Sequence, residues 1–230
     1  MAHIEFKCAD CMEAMKEYPD KSFDLAIVDP PYYSGPERRG YYGRKVSRTG
    51  VQRHYNVSVD KWQVPGDAYF TELERISKHY IVFGCNYFDW KFAPGRIVWD
   101  KCNGTSTFSD AEIAATDLFD SVRLFPYMWN GMFQGKSIAE GRIQQGNKRL
   151  NEERIHPTQK PIALYIWLLT RFAEPGWKIL DTHVGSASSL IACHRTGHDA
   201  VGFELDKVYF DLAKKRLDDE VSREQISIFD

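Results

Sequence analysis

Asp29-Pro30-Pro31-Tyr32 follows a short apolar run, Phe23 to Val28, whose length and branching suit a buried strand. The carboxyl end of a parallel strand is where ligands bind in open α/β sheets. There the tetrapeptide presents a carboxylate, a backbone carbonyl and an aromatic face. Its two prolines fix the backbone, and Pro31 has no N–H to donate. That set suits the exocyclic amine of a nucleobase, with two acceptors for two N–H groups and a ring to stack on the heterocycle. A bare Asp-Pro pair after a strand would read as a tight turn; the whole tetrapeptide at this place favours chemistry.

Leu180-Asp-Thr-His-Val-Gly185-Ser-Ala-Ser-Ser189 reads as a strand, a turn of small residues and a helix. Glu204 closes the next strand, 23 residues after Asp181, where a nucleotide-binding βαβ unit carries an acidic residue for ribose hydroxyls. With one glycine, the turn is not G-x-G-x-x-G and lacks the usual pyrophosphate cradle. A nucleoside cofactor without phosphates fits better, and S-adenosylmethionine is the expected one. His156-Pro-Thr-Gln-Lys160-Pro161 opens a helix. It is either a capping turn or, with its lysine at a helix N-terminus, a seat for a carboxylate such as the methionine end of that cofactor. Cys8-Ala-Asp-Cys11 has no second cysteine pair for zinc and no surrounding redox pattern. Asp10, between a short strand (Ile4 to Lys7) and a helix, is placed to accept from an adenine amine.

The elements that must position these groups alternate. Further strands are expected at Tyr80–Gly84, Arg96–Asp100, Lys178–Asp181 and Ala200–Glu204. Helices are expected after an Asp67 cap with Phe70, Leu73 and Ile76 three apart, from Pro161 to about Phe172, and over 187–196 with Gly197 as the stop. A last helix is expected after Asp206, with Val208, Leu212 and Leu217 on one side. Alternation of this kind implies a mostly parallel sheet with helices on both faces. At 230 residues the chain suits one catalytic domain. No apolar run reaches membrane-spanning length. The N-terminal residues lack a signal-peptide pattern, so the five cysteines are expected as reduced thiols and the location as cytoplasmic.

Two stretches follow neither period. Residues 33–66 hold Arg38, Arg39, Arg44, Lys45, Arg48, Arg53 and Lys61 against only Glu37 and Asp60, interleaved with tyrosines. About 131–155 lie Lys136, Arg142, Lys148, Arg149 and Arg154. A solvated surface loop is the bland reading of either. Two such loops in a chain of net charge −2 point to phosphate contact with base stacking. The first is expected to be mobile alone and to order on DNA.

The tetrapeptide, the His156–Pro161 element and the Asp181–Ser189 turn, in that order, resemble the amino-methyltransferases of DNA. The order is that of their circularly permuted beta group. Tyr69–Leu73, Tyr80–Gly84, Val98–Lys101 and Trp129–Gly131 resemble small phage- and prophage-type members. The resemblance implies a Rossmann-like class I methyltransferase fold with a seven-stranded, mostly parallel sheet. It implies that Asp29 and the Pro30 carbonyl hold the target amine and that Tyr32 stacks on a flipped base. It further implies that Asp181, Thr182, His183, Gly185, Ser186 and Ser188 line the methionine end of S-adenosylmethionine, with His156, Thr158 and Lys160 nearby. Glu204 with Leu205 would take the ribose side, and Asp10 with Cys11 the adenine. Two positions depart from the family pattern: His183 stands where Phe is frequent, and Ala187 where a second glycine is usual. The extra methyl at Ala187 adds bulk to the turn, and cofactor affinity is the property that this departure leaves open.

The expected activity is adenine-N6 methylation of double-stranded DNA by base flipping, with a restriction-modification context. Alternatives are cytosine-N4 methylation, where Ser-led tetrapeptides are commoner, and a non-catalytic DNA-binding subunit of the same fold. A protein-glutamine methyltransferase is disfavoured, because that group carries an Asn-led tetrapeptide after the cofactor turn. No metal is expected. A homodimer and a cognate restriction endonuclease fit the resemblance, and the residues leave both open.

Overall fold

Strand β2 (Phe23–Val28) explains the architecture. Its Leu25 and Ile27 join one buried cluster, and its Ala26 and Val28 join another on the opposite face. A strand covered on both faces reads as an uninterrupted apolar run. β3 (Ser77–Phe83) repeats the pattern with Ile81 and Phe83 against Tyr80 and Val82. The computed structural model describes residues 2–32, 63–104, 109–130 and 133–227, with side chains to residue 223.

The other strands are β1 (Ile4–Cys8), β4 (Gly95–Asp100), β5 (Ala111–Thr116), β6 (Val122–Pro126), β7 (Trp129–Asn130), β8 (Phe133–Gln134), β9 (Ile179–Asp181) and β10 (Ala200–Glu204). The main sheet has eight strands in the order β1-β10-β9-β2-β3-β5-β4-β6, one more than the expected seven, and β7 with β8 forms a separate pair. Every pairing in the main sheet is parallel except those made by β5, which runs against both β3 and β4. Helices α3 (Ile162–Phe172), α4 (Ser188–Thr196) and α5 (Lys207–Ser227) cover one face. Helices α1 (Cys11–Met15) and α2 (Asp67–Ile76) cover the other.

Two local expectations need correction. Gly66, not Asp67, is the N-cap of α2, and Asp67 sits in its first turn, where an acidic residue favours the helix dipole. On α5 the buried stripe is Tyr209, Ala213 and Leu217, while Val208 and Leu212 are each 42% exposed. A spacing of four fits the helical period better than the mixed one assumed. Residues 133–155, the described part of the second basic stretch, are tied into the fold by hydrogen bonds. Gln134 exchanges hydrogen bonds with the Glu152 backbone at 2.8 and 2.9 Å. The Tyr127 hydroxyl donates to the Gly135 carbonyl at 3.0 Å. From 33 to 62, the other basic stretch lies outside the described residues. No helix of the described residues is long and apolar enough to cross a membrane.

Gly202, in β10, faces the turn that follows β9. A Cβ there would lie 2.5 Å from Val184 Cγ2 and 3.1 Å from both Leu190 methyls. Gly202→Ala should therefore cost about 1–3 kcal/mol of stability through overpacking. Urea unfolding of the two proteins measures it, and an unchanged midpoint would show that the turn gives way freely.

Candidate active site

β2 lies beside β9, and β9 beside β10. Asp29, Asp181 and Glu204 therefore leave three adjacent parallel strands at one edge of the sheet. β5 runs the other way, so its first residues, Ala111 and Glu112, reach that same edge.

On the β2 side, Lys160 organises the geometry. Its ammonium, on a residue 4% exposed, pairs with Asp29 Oδ2, with Glu112 Oε2 at 2.7 Å, and with the Tyr32 hydroxyl at 3.2 Å. The Tyr32 hydroxyl in turn donates to Asp29 Oδ1. Glu112 Oε1 takes Lys101 at 2.5 Å. Burial opposes the charge on Lys160, but Asp29 and Glu112 outweigh it and hold the amine protonated, with its pKa raised. Burial likewise opposes ionisation of Glu112, and Lys160 and Lys101 overcome it, drawing its pKa down to about 2. Burial pushes the Asp29 carboxyl up against the pull of Lys160. Lys160, expected beside a cofactor carboxylate, has its ammonium seated on Asp29 and Glu112. Glu112 itself was missed. Its strand reads Ala-Glu-Ile-Ala-Ala-Thr, and alanine and glutamate are depleted in strands.

Tyr32 stacks on Tyr87 with ring centroids 5.1 Å apart and 8° between planes, and meets Phe88 edge-on. Its ring lies against the backbone of Gly84. A Cβ on that residue would fall 2.0 Å from Tyr32 Cε1, and its φ of +69° already favours glycine.

On the β9 side, the Asp181 carboxylate accepts from the His183 N–H at 2.9 Å and from the Ser189 hydroxyl at 2.5 Å. Thr182 Oγ1 lies 2.6 Å from the Tyr69 hydroxyl and 2.9 Å from His183 Nδ1. His183 Nε2 is 3.9 Å from Cys11 Sγ. Burial lowers the His183 pKa to about 4 and raises that of Cys11 to about 12, so both are neutral at pH 7. Glu204 accepts from the Gly185 N–H at 2.9 Å and the Asp206 N–H at 2.8 Å. Asp10 caps α1, accepting from the Met12 N–H at 2.8 Å. Leu205 is exposed beside Glu204. His156 Nδ1 is 3.2 Å from Thr158 Oγ1, and a Cβ on Gly185 would lie 3.6 Å from that ring nitrogen. The His156–Pro161 element thus touches both halves of the site.

Ala187 is buried with φ +62°. That left-handed backbone costs an L-residue about 1–2 kcal/mol. Arg216 of α5 holds the turn from behind, donating to the Ser186 carbonyl at 2.7 Å and the Ser188 hydroxyl at 3.0 Å. Its other nitrogen reaches Glu152 at 2.9 Å. Sequence reasoning missed Arg216, because nothing local marks one arginine of a charged helix.

Of the basic residues expected to meet DNA, Lys136 pairs with Glu140 at 2.8 Å and Arg142 with Asp100 at 3.1 Å. Lys148 and Arg149 are exposed on a short 3₁₀ turn. Arg38, Arg39, Arg44, Lys45, Arg48 and Arg53 lie outside the described residues. Among the described residues all five cysteines are free, and no group of three side chains is arranged to hold a metal.

Burial raises the Asp181 carboxyl from its ordinary 3.8 to about 7. The folded state then holds a proton that the unfolded chain releases. Stability from this group is complete below about pH 4 and lost as pH rises to about 7. Asp181→Asn mimics the protonated carboxyl. The variant's melting temperature relative to the parent should climb from pH 4 to 7 and level off above. A difference independent of pH would place the Asp181 proton elsewhere.

A family model described as DNA methylase matches residues 125–215. The type II methyltransferase M.HpaI of Haemophilus parainfluenzae is 24% identical over 243 aligned residues, covering 93% of this chain and 74% of that protein. The putative DNA modification methylase TTHA0409 of Thermus thermophilus, solved with S-adenosyl-L-methionine, superposes with TM-score 0.54 at 17% identity, covering 96% of this chain and 95% of that one. The cytosine-N4-specific PvuII DNA methyltransferase superposes with TM-score 0.54 at 12% identity, covering 97% and 93%. The fold is that of the class I methyltransferases, and residues 125–215 match the pattern of the DNA methylase family model.

Proposed function

We propose that the protein transfers a methyl group from S-adenosylmethionine to N6 of adenine in duplex DNA. The observation that carries this reading is the placement of Asp29 and Tyr32 at the carboxyl end of β2, next to the Asp181–Ser188 turn and to Glu204 on the two neighbouring strands. The donor set fits the cofactor. Glu204 offers a half-buried carboxylate toward ribose hydroxyls, Asp181 and the small-residue turn face its methionine end, and Asp10 with Cys11 borders the adenine. The cofactor, when bound, supplies a methyl group already activated on a sulfonium.

The chain's task is then at the amine. A base amine is a poor nucleophile, because its lone pair is delocalised into the ring. Hydrogen bonds from its two N–H groups to Asp29 and to the Pro30 carbonyl favour a pyramidal nitrogen and return the lone pair to it. Holding nitrogen and methyl in line contributes several kcal/mol more. The base must leave the duplex, at a cost of a few kcal/mol, and the Tyr32 ring recovers part of this by stacking. To do so, Tyr32 exchanges its contact with Tyr87 for the base, and its hydroxyl leaves Asp29 Oδ1 free for the amine. The 131–155 stretch exposes Phe133, Ile138, Ile143 and Leu150 among its basic residues, a surface suited to nucleic acid. Asp29 in place of serine favours adenine. The fold shared with a cytosine-N4-specific enzyme keeps that base as the second reading.

Modification-sensitive long-read sequencing of DNA from cells with and without the gene reports base and motif together, and methyl groups on cytosine would overturn the adenine assignment. Asp29→Ala should cut methylation by about 10²-fold or more while the protein stays folded. Tyr32→Ala should lose about ten- to a hundredfold, and Tyr32→Phe much less; equal losses would assign the work to the hydroxyl.

Replacing Arg38, Arg39, Arg44 and Lys45 together by Ala should weaken DNA binding and reduce its salt slope by about one unit per lost phosphate contact. Cofactor affinity should barely move. The parent's affinity and slope in that variant would shift the DNA clamp to 131–155.

A further inference from the structure

We propose that Glu112, on the antiparallel strand β5, is a positioning residue for the transfer: by sharing the Lys160 ammonium with Asp29, it sets how strongly Asp29 accepts the target amine. The inference rests on the function proposed above, and one of its tests does not need that function.

A lysine ammonium has three donors. The Lys160 ammonium donates to the Tyr32 hydroxyl at 3.2 Å and forms ion pairs with Asp29 Oδ2 and, at 2.7 Å, with Glu112 Oε2. The Tyr32 contact is the one lost when that ring turns to a base. Glu112 is then the partner that keeps Lys160 from turning wholly onto Asp29. An ammonium resting on Asp29 alone would neutralise the carboxylate and leave little acceptor strength for the amine. The second oxygen of Glu112 is tied to Lys101 at 2.5 Å, so its own direction is fixed. Two carboxylates and two ammonium groups make the cluster neutral overall. A purely structural Glu112 would only offset the buried charge of Lys160.

The groups that face Asp29 are Lys160, Glu112 and Tyr32, and Asp181, Tyr69 and Tyr165 lie within electrostatic reach of it. Glu112 contributes negative charge there and Lys101 offsets part of it. Removing the charge on Glu112 should let Asp29 ionise at lower pH. Removing the charge on Lys101 should do the reverse.

Glu112→Gln and Lys101→Met test this. In steady-state methylation of DNA, Glu112→Gln should lower kcat about tenfold and leave cofactor affinity within about twofold. The acid limb of its pH profile should move down by about one unit. Lys101→Met should move the limb up. Carbon-13 NMR of the Asp29 carboxyl should show the same opposite shifts in the protein without DNA, whatever reaction the parent catalyses. A parent that methylates no DNA would therefore defeat the proposed function and leave the NMR result to decide this inference. If Glu112→Gln does not fold, Lys101→Met decides alone. An Asp29 titration unmoved in Lys101→Met, or shifts of the same sign in both variants, would overturn the role given to Glu112.

Discussion

A protonated amine almost sealed from water must have its counter-charges built around it, and Lys160 imposes that demand on the sheet. An unpaired buried ion costs several kcal/mol, so Asp29 and Glu112 must both arrive at the same point. Asp29 does so because β2 ends there. Glu112 does so because β5 is antiparallel: its beginning lies where the ends of its neighbours lie, with Glu112 opposite Trp99 and Ala111 opposite Asp100. A parallel β5 would carry Glu112 to the far edge. The one reversed strand is thus a condition of the charge cluster as well as a feature of the topology.

The two halves of the site settle buried charge differently. On the β2 side, lysine neutralises carboxylate. On the β9 side there is no cation at the carboxylates among the described residues; Asp181 relies on a hydroxyl, a backbone N–H and its own proton, and Glu204 on two backbone N–H groups. Carboxyl groups held by neutral donors keep acceptor capacity for an incoming polar group, since each oxygen accepts more than one hydrogen bond. The β9 half is therefore suited to receive a ligand, and the β2 half to be exact about one acceptor. Arg216 stands outside both. Its ties to the Ser186 carbonyl and to Glu152 make the turn rigid from behind and join it to the stretch that carries Gln134, Lys136 and Arg142.

Much of this was legible along the chain because buried parallel strands announce themselves. Phe23–Val28 and Ala200–Glu204 are largely apolar, and each leads to an acidic residue at the binding edge. Gly197 marked the end of α4, where it adopts φ +76°. β5 and β6 were not legible. Ala-Glu-Ile-Ala-Ala-Thr has the composition of a helix, and its strand state is decided by β3 and β4 on either side. Val122–Pro126, an edge strand, has Val122 and Leu124 exposed and ends in proline, so it carries no burial pattern. Every site residue found from the sequence lies in a motif with local spacing. The two found only in the fold, Glu112 and Arg216, act on partners 48 and 30 residues away, at Lys160 and Ser186, a relation that no local pattern encodes.

Tyr32 and Gly84 show how the fold leaves room for change inside a close-packed site. The Tyr32 ring occupies the volume that a side chain on residue 84 would fill, and the left-handed backbone of Gly84 turns the chain toward Tyr87 and Phe88, which bear on that ring. The ring is therefore held by aromatic contact and by one hydroxyl shared between Asp29 and Lys160, with no backbone hydrogen bond among its described contacts. An aromatic contact of this kind is worth about 0.5–1.5 kcal/mol, and stacking on a base about 1–3 kcal/mol. In the proposed reaction, stacking of this size would offset the lost aromatic contact and draw the ring onto a base once one enters. In that proposed reaction the same movement would uncover Asp29 Oδ1, because the Tyr32 hydroxyl now donates to it, so that occupation of the stacking position and exposure of the acceptor would be one event.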